Sequence, residues 1–175
     1  MKLLIRFTTL SLALLSTAWG AGCDDELRQK AGRAISNLRS CDSTLTNFFE
    51  HAAGYAVFPS VRGSGPGLPE EHVRGVVYEK GKPVGEAVLA ETNVGQQENA
   101  TPFHEAIFFG TTEALENFKQ CRFVVRADFS AVDAAEGAAA TAKYQKGAVI
   151  FVVPKNGLME RIAIGEQRFV YKPLD

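Results

Sequence analysis

The side chains that could do covalent or metal chemistry in this sequence are few and scattered. Three histidines, His51, His72 and His104, stand 21 and 32 residues apart. None belongs to an HExxH pair, the spacing that sets two imidazoles on one helical face around zinc. The cysteines Cys23, Cys41 and Cys121 form no CxxC, and Asp24, Asp25 and Asp42 lack the alternation of a calcium loop. No metal site and no cofactor are expected. Ser60 and Ser64 lie near His72 in sequence, but no GxSxG elbow presents either serine as a nucleophile. The run GSGPG at Gly63 to Gly67 is not a nucleotide-binding loop, because its proline removes an amide that a phosphate nest needs. The chain is expected not to be an enzyme. His51, on a short helix, reads as a locally hydrogen-bonded or surface residue.

Charge is more informative. Residues 21–118 carry 8 basic and 14 acidic side chains, whereas residues 119–175 carry 9 basic and 6 acidic. A basic surface drawn from Arg122, Arg126, Lys143, Lys146 and Lys155, with Arg161, Arg168 and Lys172 beside them, could meet the phosphates of anionic lipid. The alternative is that these are scattered solvated faces. The acidic balance overall and the lack of a basic run argue against nucleic acid as a partner.

The elements that must position these groups follow from periodicity. Leu27, Ala31, Ala34, Leu38 and Cys41 recur at helical spacing over residues 24–41, with Asp24, Asp25 and Glu26 at the positive end of the helix dipole. Ser43 is a candidate cap for a second, shorter helix with Leu45, Phe48, Phe49 and Ala52, ended by Gly54. Tyr55 to Phe58 reads as a strand closed by Pro59, and Arg62 to Glu71 as an exposed loop. Val73 to Glu79 and Pro83 to Thr92 form a hairpin through Lys80-Gly81-Lys82. Phe103 to Phe109 is another strand, and Thr111 caps a helix that buries Ala114, Leu115 and Phe118. Alternation over Phe123 to Ser130 predicts a half-buried strand, and the apolar run Ala148 to Val153 a central one. Asn156-Gly157 marks a turn before strands at Leu158 to Ile164 and Phe169 to Tyr171. Ala131 to Lys143 stays open between helix, on its alanines, and a continued strand.

The N-terminus has the three parts of a secretory signal: a basic tip at Lys2 and Arg6, the apolar run Phe7 to Leu15, and small residues at Ala18 and Gly20. The run is too short for a spanning helix. Cleavage before Ala21 would leave 155 of the 175 residues as one domain and move the formal charge from −1 to −3. Gly20-Ala21-Gly22-Cys23 is also similar to the site at which bacterial lipoproteins are cut and acylated on cysteine. Both outcomes stay open beside a third, a retained N-terminal anchor, and the expected location is the periplasm or cell envelope. Export permits a disulfide. If Cys23 is acylated, Cys41 and Cys121 remain as the pair, closing a loop of 80 residues.

Five blocks taken in order resemble the SYLF family of lipid-binding domains. They are AGYAVFP at Ala53 to Pro59, GVVYEKGKPVGEAVL at Gly75 to Leu89, EAIFFGTTEALENFK at Glu105 to Lys119, YQKGAVIFVVPKNGLM at Tyr144 to Met159, and GEQRFVYKP at Gly165 to Pro173. The resemblance covers about Leu38 to the C-terminus. It implies an α+β fold, a largely antiparallel, barrel-like β domain with flanking helices. It also implies a non-enzymatic role in binding phospholipid or another amphiphile. Two segments depart from the family pattern by being polar: Arg62 to Gly75 after the Phe-Pro, and Asn93 to Asn99. A second reading is therefore kept, a protein–protein or structural module of the envelope that retains the scaffold without lipid binding.

Overall fold

The computed structural model describes residues 24–61, 73–93, 102–126, 131–133, 135–155 and 166–174. The expected targeting segment, Cys23, Ser64, His72, the expected loop Arg62 to Glu71, the polar stretch Val94 to Asn99, Asn156-Gly157 and the expected strand Leu158 to Ile164 lie outside these residues. So does the end of the expected strand Phe123 to Ser130, beyond Arg126.

The fold is α+β. Among the described residues eight strands form one curled sheet, a half-barrel. In chain order they are β1 (Gly54–Val61), β2 (Val73–Glu79), β3 (Lys82–Asn93), β4 (Phe103–Phe109), β5 (Val124–Val125), β6 (Ala131–Asp133), β7 (Ala148–Pro154) and β8 (Glu166–Pro173). Across the sheet they run β5-β8-β3-β2-β1-β4-β7-β6, antiparallel except for β6 beside β7. Flanking it among the described residues are the α-helices α1 (Asp25–Cys41), α2 (Thr46–His51) and α3 (Thr112–Lys119).

Alternation along each strand divides the buried side chains between two faces. The inner, concave face gathers Ala56 and Phe58 of β1, Ile107 and Phe109 of β4, Ile150 and Val152 of β7 and Phe169 of β8, closed by Leu115 and Phe118 of α3. The outer face carries Tyr55 and Val57, Ala106 and Phe108, and Phe151 and Val153. These lie under Leu27, Ala31, Ala34 and Leu38 of α1 and Phe48 and Phe49 of α2. Cys41 ends α1 but is exposed, so the buried stripe stops at Leu38.

Curling has local causes. Register shifts occur at Phe58/Val61, Val77/Tyr78 and Leu89/Glu91, and each irregularity bends its strand and increases twist. At Gly75 a Cβ would lie 2.6 Å from the Phe58 ring, so only glycine lets that ring fold onto β2 from β1. Pro59 does not close β1 as expected. The strand runs through it to Val61, because the proline falls at the register shift, where a missing ladder donor is tolerated.

Other expectations hold or shift at the level of single residues. Lys80 and Gly81, at φ 50° and 73°, make the tight turn of the β2–β3 hairpin. Thr111 caps α3 by accepting from the Ala114 N–H. The cap after α1 is Asp42 rather than Ser43. Its carboxylate accepts from the Thr44 N–H at 2.9 Å and the Thr44 hydroxyl at 2.6 Å, starting a 3-10 turn at Ser43–Leu45. The open segment Ala131 to Lys143 resolves into both alternatives in miniature, the short strand β6 and a 3-10 turn at Ala138–Thr141. The apolar run β7 is interior but one strand from an edge.

The expected Cys41–Cys121 disulfide is not formed; both thiols are free and exposed. Cys41 ends α1 on the outer face. Cys121 follows α3, whose side chains pack on the inner face, and its Sγ accepts from the Tyr171 N–H of β8. With the sheet between them, the Cα atoms cannot approach within the roughly 7 Å that a bridge needs.

Candidate functional site

The five basic residues singled out by charge do not form one patch. Arg122 and Arg126 are exposed on either side of β5, at one edge of the sheet. Lys143 and Lys146 are exposed before β7, and Lys155 is exposed after it. Since β7 spans Ala148–Pro154, its ends are about 20 Å apart at roughly 3.3 Å per residue.

The structure does bring Lys143 and Lys146 together around Tyr144. Backbone bonds from Gln145 N–H to the Ala148 carbonyl (2.7 Å) and from Ala148 N–H to the Gln145 carbonyl (2.9 Å) close a two-residue turn. Lys146 and Gly147 occupy that turn at φ 49° and 82°, the same Lys-Gly chemistry as the β2–β3 hairpin. Gly147 is required twice over, because a Cβ there would lie 2.9 Å from the Ala114 side chain. Tyr144 leans over Gly110 and packs edge-on against Phe48 at 5.6 Å, yet remains 40% exposed. Burial of part of the ring raises the pKa of its hydroxyl, which stays neutral. Beside the turn lies an open cleft of about 340 Å³, with Val132, Ala142 and Val149 as apolar lining and Lys143 and Gln145 as polar lining. Glu113, in the first turn of α3, precedes the Ala114 that a Cβ at Gly147 would meet.

A second cleft, of about 330 Å³, runs between the start of α1 and β1–β2 and includes Ser60. Its charges are already matched: Arg74 bonds Glu86 at 2.7 Å and Asp24 at 3.5 Å. Those carboxylates hold the guanidinium pKa above its ordinary value. No histidine lines this cleft among the described residues, so Ser60 gains no base there. His51 is exposed and bonds the Asn47 carbonyl one turn back, as its helix position suggested. Among the described residues no cluster of three or more His, Cys, Asp or Glu could hold a metal ion.

Charge and motif reasoning missed two buried polar groups on β4. His104, on the outer face, is locked between Pro59 and Asn37. The Pro59 carbonyl can only accept, so Nδ1–H donates to it at 2.6 Å, and Nε2 then accepts from Asn37 Nδ2 at 3.1 Å. Burial pushes its pKa below the ordinary 6.5, and the nearby Lys155 adds to that, against the Pro59 bond. Glu105, on the inner face, is fully buried and accepts from Gln167 Nε2 of β8 at 3.0 Å. Glu105 Oε1 and Gln167 Oε1 have no partner, and each such buried orphan costs about 1–3 kcal/mol. Burial raises the Glu105 pKa to about 7, with the Gln167 bond opposing. The signal was present in the alternation FHEAIFF, where Glu105 shares parity with the inward Phe103, Ile107 and Phe109.

Comparison with models of known protein families and with curated proteins finds no match to this chain.

Proposed function

We propose that this is a non-enzymatic cell-envelope protein that binds the surface of anionic phospholipid bilayers through the Lys143–Gly147 turn. One observation carries the reading: Tyr144, one of two large hydrophobic side chains exposed among the described residues, is held between two exposed lysines. An aromatic ring with a polar tip suits the headgroup boundary, and lysines beside it suit lipid phosphates. The resemblance to SYLF domains supports the same reading. Arg122, Arg126 and Lys155 are left out of the contact.

Each near-surface lysine is worth about 1 kcal/mol, so binding should be weak. It should also fall as the Debye length shrinks to about 8 Å near 0.15 M salt. Flotation of unacylated protein with phosphatidylglycerol and phosphatidylcholine vesicles tests it. Wild type should float with the anionic vesicles at low salt. The variant Lys143→Ala/Lys146→Ala should lose about 2 kcal/mol, roughly 30-fold, while Lys155→Ala should behave as wild type. Equal flotation with both lipids, or loss on substituting Lys155 alone, would refute the assignment. The structural-module reading predicts no flotation at any salt.

A further inference from the structure

Two runs in the second half of the chain repeat one pattern, Arg-Phe-Val-Val-Arg at Arg122 to Arg126 and Arg-Phe-Val-Tyr-Lys at Arg168 to Lys172. They carry β5 and most of β8, which pair antiparallel with Val124 opposite Arg168 and Val125 opposite Gln167. Phe123 and Phe169 are buried in the inner core with ring centroids 6.2 Å apart, and Val125 and Tyr171 pack into the same cluster. Alternation therefore turns the other members of both runs, Arg122, Val124, Arg126, Arg168, Val170 and Lys172, to the outer face. The register offsets the two runs. Val124 lies beside Arg168, and the same pairing carried two residues further sets Arg122 beside Val170. Val88 of β3 stands on the other side of Val170. The result is a small apolar shelf between basic side chains, with Val170 50% exposed. Arg122, Arg126 and Lys172 hold no ion pair among the described residues. Glu166 lies 3.8 Å from Arg168, and the carboxylate of Glu86, opposite Lys172, is bonded to Arg74 at 2.7 Å. The face is thus left with an excess of positive charge.

We propose that this outer face of β5 and β8 docks an acidic segment of a partner protein, one that presents carboxylates on either side of an apolar residue. The charge of the face selects an anion, and three of its four cations are arginines, whose planar forks bond carboxylates in pairs. Arginine around an apolar centre is also the composition that marks protein interfaces, where lysine is depleted. The valines separate a protein from a bilayer as the occupant. A valine is far shorter than an arginine, so a flat headgroup layer would rest on the guanidinium tips and leave the shelf uncovered. Side chains of a protein reach down to it. A second copy is disfavoured, since the same face on both partners would set like charges together. Each run spaces its terminal cations four residues apart, about 13 Å at roughly 3.3 Å per residue, with valine midway. An extended segment with the order acidic, apolar, acidic at every second residue matches that spacing. Two strand spacings by four residues is about 130 Å², well below the roughly 800 Å² per side of a stable complex, so the contact is transient. It uses Arg122 and Arg126, which the Lys143–Gly147 turn leaves out, and stands independently of that turn.

The probe is the capped peptide Glu-Ser-Val-Ser-Glu-Ser-Val-Ser-Glu, titrated into the purified protein at low salt and followed by ¹⁵N NMR. Saturable shifts are expected at the amides of Arg122 to Arg126 and Arg168 to Lys172, weakening as salt rises. A counterpart with glutamine for every glutamate should not saturate, and one with serine for every valine should bind more weakly than the probe. Arg122→Gln/Arg126→Gln removes two exposed guanidinium contacts and should weaken the probe about tenfold. Lys143→Ala/Lys146→Ala should leave it unchanged. Both arginines are exposed, so the variant is expected to fold, and the shift map of the wild-type protein needs no variant. Flotation of Arg122→Gln/Arg126→Gln with phosphatidylglycerol vesicles should equal that of wild type. Absence of saturable shifts on the two strands, equal affinity for either counterpart peptide, or undiminished binding by Arg122→Gln/Arg126→Gln would overturn the proposal. Loss of flotation in that variant would overturn it too, by giving the face to the bilayer.

Discussion

Replacing Glu105 by Gln should make the protein more stable in mild alkali while leaving it nearly unchanged in acid. Glu105 is fully buried, and its carboxyl titrates near 7 in the folded state against an ordinary value of 4.5. The folded state therefore holds the proton more tightly than the unfolded one. The stability this confers is complete below pH 4.5, is lost as pH rises through 7, and is absent above that. At about 1.4 kcal/mol per pH unit over this interval, the wild-type protein loses about 3 kcal/mol from this one group between pH 4.5 and 8. Gln keeps the shape and an oxygen for Gln167 Nε2 to donate to, and it does not titrate. The stability difference between Glu105→Gln and wild type should therefore grow by about 3 kcal/mol across that range. In a domain of this size that is about 6–12 °C in melting temperature. Urea unfolding of both proteins at half-unit pH steps measures it, and subtracting the two curves removes every other titrating group. A difference that stays constant within about 0.5 kcal/mol from pH 4.5 to 8 would refute the reasoning, because Glu105 would then ionise in the folded protein as it does in water.

Two further outcomes follow from the buried network under α1. His104 should remain neutral, with the proton on Nδ1, below pH 6.5; the stability it contributes is present above 6.5 and lost as pH falls toward its lowered folded-state value, and ¹⁵N shifts of the ring report both features. Asp42→Ala should cost about 2–3 kcal/mol in urea unfolding, since it removes the cap on Thr44 and the acceptor of the Ala139 N–H at 2.7 Å, whereas Asp42→Asn should recover part of that loss.

Much of the scaffold was legible because local chemistry and tertiary context agree there. The β2–β3 hairpin is written in alternation and a Lys-Gly turn, α3 in its Thr111 cap, and β4 and β7 in runs of seven residues that begin and end on turn signals. Disagreement arises where a local preference competes with a distant partner. Ser43 is an acceptable cap by residue type, but Asp42 also reaches Ala139, 97 residues away, and no periodicity reports that bond. Pro59 breaks strands in general and survives here because the register slips beside it. For the candidate sites the limit is the same. Charge picked out five basic residues, but which of them share a surface depends on the length of β7. Glu105 shares the parity of the inward Phe103, Ile107 and Phe109, a signal the charge and motif reading passed over, and Gln167 lies before the strand expected at Phe169 to Tyr171. That they meet each other depends on how far the sheet curls, and no single strand encodes that.

The ends of the sheet constrain how the two membrane attachments suggested by the sequence could operate together. Asp24 is tied to Arg74 and lines the cleft with Ser60 and Val73, at the end where β1 finishes and β2 starts. Cys23, the residue before Asp24 in sequence, is the one that would carry an acyl chain. The Lys143–Gly147 turn is at the opposite end, beside Gly110 where β4 finishes. The eight residues of β1 set the separation along the strands at about 25 Å. Both attachments could meet one bilayer only if the strands lay flat against it. In that pose β8, next to the β5 edge, shows Val170 at 50% exposure opposite Val88 of β3, with Lys172 opposite Glu86. Standing upright, an acylated chain would instead offer the basic turn to a second surface. The two orientations differ in which lysines matter, and for that reason the contribution of the turn is read from unacylated protein, where the anchor cannot mask it.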